Sequence, residues 1–66
     1  MNKARIAADL RRLRGSRSRE EVALACGVSS SAISMYETGA RIPSDDVKQK
    51  IATYYGKRVG EIFFNE

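Results

Sequence analysis

Lys3, Arg5, Arg11, Arg12, Arg14, Arg17 and Arg19 place seven basic side chains in the first 19 residues, opposed there by Asp9 alone. Residues 20–66 reverse the balance with five basic and seven acidic side chains, so a +6 end joins a −2 body and the chain carries +4 overall. The chemistry open to such an end is the holding of a polyanion, and a sequence pI near 9.6 agrees. A solvated face would have the same composition, so charge alone leaves both readings open. Other chemistries are closed. The chain has no histidine, the side chain most used as a general base, and its one cysteine, Cys26, excludes an internal disulfide and a zinc site of the Cys/His type. No pair of carboxylates converges by spacing. No enzyme, metal or cofactor is expected.

The elements that must position these groups read as helical. Sixty-six residues leave room for one domain, 1–66, with a thin core. Ile6, Leu10 and Leu13 recur at helical spacing and predict a first helix over 3–14, ended by Gly15 and Ser16. Ser18-Arg19-Glu20-Glu21 has the form of a capping box, in which the Ser18 hydroxyl accepts from the amide three residues on and Glu21 reaches back. That second helix stops near Cys26-Gly27. Ser29 caps a third helix running from Ser30 to Thr38, and Gly39 terminates it. Pro43 makes residues 39–43 a loop. Ser44 opens a fourth helix, with Asp45 and Asp46 at its positive end, an apolar face of Val47, Ile51 and Tyr54 or Tyr55, and Gly56 as its close. Residues 59–64 form a final short turn or helix. The fold expected is all-α, five short helices with no strand.

Within this frame, residues 19–38 carry the most specific pattern. Two helices that cross steeply need a small residue at their contact, a glycine in the turn and apolar side chains facing the shared core. Ala23, Gly27, and the set Val22, Cys26, Val28, Ile33 and Tyr36 meet those needs in turn. This is the spacing of a DNA-binding helix-turn-helix, whose second helix enters the major groove. A glycine turn alone occurs in many structural hairpins; the joint match at seven positions does not.

The stretch Arg19–Gly39, REEVALACGVSSSAISMYETG, with RIPS from Arg41 and the closing EIFF of Glu61–Phe64, resembles the phage repressor/Cro (lambda repressor-like) type of helix-turn-helix regulator. The resemblance spans about Ile6 to Phe64. It implies operator DNA as ligand and a twofold dimer on a palindromic site. It also implies that Ser30, Ser31, Ser34 and Met35 face base edges, while Arg19, Thr38, Gly39 and Arg41 hold the DNA backbone. Arg14 and Glu37 match positions that form a partly buried structural ion pair, and Glu20 matches one where some relatives touch RNA polymerase. Two residues depart from the pattern: Arg19 stands where glutamine is usual, and Arg17 where an apolar residue is.

Serine hydroxyls form single hydrogen bonds and discriminate bases weakly, and no arginine, asparagine or glutamine lies on the presumed reading face. Met35 offers contact to a thymine methyl. Direct readout is therefore expected to be modest, with dimer spacing and DNA shape adding to it. Cys26 reads as a small core hydrophobe. Arg11 and Arg12 suit phosphate contact and solvent equally. Ile62, Phe63 and Phe64 are a heavy apolar load for a chain end; they close the core, anchor a homodimer, or divide between the two. An antitoxin or other protein-interaction module, which would also bind its own promoter, is the alternative function. Single-strand or RNA binding is disfavoured because the aromatics fall at core spacings. Residues 1–10 hold no apolar run long enough for a signal peptide or membrane span, so a cytoplasmic, nucleoid-associated prokaryotic or phage protein is expected.

Overall fold

Four short polar side chains set where the helices begin. In the computed structural model, which describes residues 2–64, the N-caps are Asn2, Ser18, Ser29 and Ser44. Asn2 Oδ1, Ser18 Oγ and Ser29 Oγ each accept from a backbone N–H three residues on at 3.0 Å, and Ser44 Oγ does so at 3.4 Å. Each cap satisfies an otherwise orphaned donor and contributes about 1 kcal/mol. The helices that follow are α1 (Lys3–Arg14), α2 (Arg19–Cys26), α3 (Ser30–Thr38) and α4 (Asp45–Tyr55). Glycine follows each of them, and no strand occurs among the described residues.

The tail takes a form that periodicity did not specify. Gly60–Phe64 is a π-helical turn. Its entry is tied by the Glu61 N–H donating to the Arg58 carbonyl at 3.0 Å, while Glu61 Oε1 accepts from the Arg58 N–H at 2.9 Å. The apolar load divides here: Ile62 and Phe63 are buried, and Phe64 is 56% exposed.

Packing follows the apolar faces. α1 lies on α3, α2 on α3 and α4, and the π-turn on α1. The shared core joins Ile6 and Leu10 of α1, Val22, Ala23 and Cys26 of α2, Ala32, Ile33 and Tyr36 of α3, Ile51 and Ala52 of α4, and Ile62 and Phe63. Cys26 is fully buried in it, as a small hydrophobe would be. Lys48 is also buried, its Nζ 4.8 Å from the ring centroid of Phe64 and 5.8 Å from that of Phe63, so the π-turn covers an α4 cation.

Two long-range contacts correct local expectations. Glu21 does not reach back to complete the box; its Oε2 accepts from the Tyr54 hydroxyl at 3.0 Å, linking α2 to α4. Arg17 stands at an apolar position because its guanidinium stacks, 5.6 and 5.7 Å from the ring centroids of Tyr54 and Tyr55, while its Nη1 donates to the Leu13 carbonyl. The short α1–α2 connection is thereby fastened to the end of α4.

These tyrosines make stability sensitive to alkali. Burial, aided by the Glu37 charge, holds the Tyr55 hydroxyl well above its usual range, at about 12. Burial and the bond to Glu21 also raise Tyr54, and burial raises the Cys26 thiol. The folded state binds these protons more tightly than the unfolded one. The tyrosines' contribution is therefore complete below pH ~10 and the thiol's below about 9, and each is lost as pH climbs through the folded value. The urea midpoint is expected to fall between pH ~10 and ~12, and Tyr55→Phe should flatten that fall. An equally steep fall in the variant would place the titrating group elsewhere.

Candidate nucleic-acid interface

The α2–α3 corner is built from one glycine and one serine. Gly27 adopts the left-handed conformation, φ 69° and ψ 32°, which favours a residue without Cβ, and its N–H turns back to the Ala23 and Leu24 carbonyls. The Val28 N–H then donates to the Ala23 carbonyl at 3.0 Å. Ser29 starts α3 at once through its hydroxyl, leaving one short link between the two helices.

On α3, burial alternates with helical period. Ala32, Ile33, Tyr36 and Glu37 are buried, whereas Ser31, Met35 and Thr38 are exposed and Ser30 and Ser34 half-buried. Ser31, Ser34, Met35 and Thr38 are spaced i, i+3, i+4, i+7 and so share the outward face. At one end of the corner stands Arg19, the first residue of α2; beyond α3, Arg41 is exposed in the loop. Three of the four residues expected to touch bases, Ser31, Ser34 and Met35, thus share one stripe with Thr38, which was expected at the backbone. Ser30, half-buried, lies beside it, and a cation stands on an adjoining element before and after.

A family model described as helix-turn-helix matches residues 9–62. The chain belongs to the helix-turn-helix family, of the Cro/C1 type. No curated protein matches the chain, and no solved structure matches it. The all-helical fold is that of lambda repressor-like domains, and the family is one of DNA-binding regulators. No described helix is long and apolar enough to cross a membrane, and no group of side chains among the described residues could hold a metal ion.

The helix-turn-helix is braced from behind by Glu37, which is only 2% exposed. Its Oε2 accepts from Arg14 Nε at 2.7 Å, and its Oε1 lies 3.3 Å from Arg19 Nε. Its backbone carbonyl accepts from Arg11 Nη1. One residue near the end of α3 therefore ties down α1 twice and α2 once. The Arg14–Glu37 pair lies where the resemblance implied it, and the Glu37 bond raises the Arg14 pKa above its ordinary value. The Arg19 and Arg11 links carried no local sequence signal, being 18 and 26 residues apart from Glu37 in the chain.

The loop after α3 differs from a set of backbone donors. Gly39 (φ 78°) gives its N–H to the Tyr36 carbonyl, and the N–H groups of Ala40 and Arg41 converge on the Met35 carbonyl at 3.0 and 3.3 Å. The Thr38 hydroxyl donates to that same carbonyl at 3.2 Å. Gly39 therefore supplies shape, not a free amide: a Cβ there would sit 3.6 Å from the Lys3 carbonyl oxygen, in a conformation that disfavours one. The Arg41 side chain is left exposed in that loop. Of the three expected dimer contacts, Ile62 and Phe63 close the core, and only Phe64 is presented outward.

Proposed function

We propose that the chain is a sequence-specific duplex DNA-binding transcription regulator, acting as a repressor, with α3 as the recognition helix in the major groove. The observation that carries this reading is the outward stripe of Ser31, Ser34, Met35 and Thr38, flanked by Arg19 and Arg41. Side chains on one face of an α-helix can follow the floor of the groove, and cations to either side can hold its phosphate walls. Ser30 lies at the first turn of the same helix, beside the stripe. Two copies would read a palindromic operator from half-sites about 34 Å apart, with Phe64 as the dimer anchor. Such a regulator is cytoplasmic and nucleoid-associated, and it acts on duplex DNA without a cofactor.

The test is selection of bound sequences from random duplex DNA, with the DNA upstream of the chain's own reading frame included as a probe. Recovery of a short palindrome supports the reading, and the half-site spacing gives the dimer geometry. Salt-sensitive binding with no motif would overturn sequence specificity and leave a partner-dependent protein, the role an antitoxin has. The serines should tune preference more than strength. Ser31→Ala is expected to change the selected motif while altering overall affinity by less than about tenfold, since a single hydroxyl contact is weak. The same motif from the variant would remove Ser31 from the reading face.

A further inference from the structure

Arg19 is not a free cation. Its Nε is held 3.3 Å from Glu37 Oε1, while its side chain stays 44% exposed and its Nη groups have no intramolecular partner among the described residues. The carboxylate behind it is almost fully buried, so its field on Arg19 is little screened by water or salt. That carboxylate already serves Arg14 at 2.7 Å. Arg14 in turn is closed off, its Nη1 donating to the Arg17 carbonyl at 2.7 Å. One negative charge thus stands between a guanidinium turned inward and one turned toward solvent.

We infer that Glu37 is an internal competitor of DNA phosphate for Arg19, a positioning residue that limits the strength of backbone binding by this interface. The inference rests on the duplex-binding reading above. A phosphate approaching the Arg19 Nη groups meets a guanidinium whose charge is partly answered from behind, so Arg19 counts as less than one neutralised phosphate. A counter-charge placed there weakens general affinity for DNA and leaves the reading face of α3 untouched, which raises the share of binding that depends on sequence.

Glu37→Gln keeps an acceptor for Arg14 Nε and removes the charge. It is expected to bind random duplex DNA several-fold more tightly at 0.1 M salt, on the order of three to eight, with a log–log salt slope steeper by up to about 0.9 per subunit. Adding Arg19→Gln should abolish that gain, and Arg19→Gln should flatten the slope less in the wild type than in the Glu37→Gln background. Removing one negative charge strengthens the general field for DNA even where the carboxylate is only a brace, so the arm that separates the two is the loss of the gain once Arg19 is replaced. Weaker binding or an unchanged slope in a folded Glu37→Gln protein overturns the inference. Should that variant lose its helical circular dichroism, Arg14→Met with Glu37→Met replaces the buried pair at constant net charge. The steeper slope is expected there too, and an unchanged one overturns the inference equally. Failure of the wild type to bind any duplex DNA would instead remove the functional reading itself, visible before any variant is compared.

Discussion

Phe63→Ala is expected to leave most of the chain unfolded at 25 °C. Phe63 is 1% exposed, the largest of the fully buried side chains, and it joins the π-turn to the core beneath α1. Truncating such a ring removes about 3–5 kcal/mol through lost transfer energy and the cavity left behind. A core of this size rarely supplies more than about 3–5 kcal/mol in total, so the two magnitudes meet. Loss of helical circular dichroism without denaturant is the measurement. The neighbouring ring is the control: Phe64 is exposed and mainly covers Lys48, so Phe64→Ala should lower stability by no more than about 1 kcal/mol. Equal losses at the two positions would contradict the division of the tail into one inward and one outward ring.

The second large effect is on binding. Raising salt from 50 to 200 mM is expected to weaken association of the proposed two-subunit complex with duplex DNA about a thousandfold. That figure takes about six neutralised phosphates, each contributing ~0.9 to the log–log slope. Arg41, free of ion pairs among the described residues and exposed beyond α3, should account for a full share in each subunit. Arg41→Ala is expected to flatten the slope by ~0.9 per subunit and to weaken all sequences alike. A slope near zero would mean that the basic end of the chain does not meet phosphates at all. A loss confined to one motif would move Arg41 from the backbone to the bases.

Much of the fold could be read from local signals because each helix carries its own start and stop. Ser18, Ser29 and Ser44 are caps in the sequence and in the structure, and Gly27, Gly39 and Gly56 end the helices they follow. The outward residues of α3 came from the resemblance and not from local pattern; in the structure Ser31, Ser34, Met35 and Thr38 share one face because burial there obeys one helical period. What local pattern could not supply lies between distant residues. Arg17 departs from the apolar pattern because the rings it stacks on, Tyr54 and Tyr55, lie 37 and 38 residues on. Glu21 chose the Tyr54 hydroxyl over its own helix end for the same reason: tertiary packing brought a better donor within reach. At the site, the resemblance placed Arg14 with Glu37 but left out Arg19. A carboxylate has two oxygens, and nothing in spacing says who takes the second. The π-helical form of Gly60–Phe64 also escaped, because apolar spacing over five residues fits more than one helical pitch.

Cys26 gives this chain a built-in reporter. Its thiol is buried to the last square ångström where α2 meets its neighbours, and burial keeps it protonated and therefore unreactive. An alkylating reagent can reach it only when the helix-turn-helix itself comes apart. The rate at which the native protein is labelled, followed by mass, therefore counts those openings one molecule at a time. Slower labelling in the presence of a DNA duplex would measure how firmly that duplex holds the two helices together.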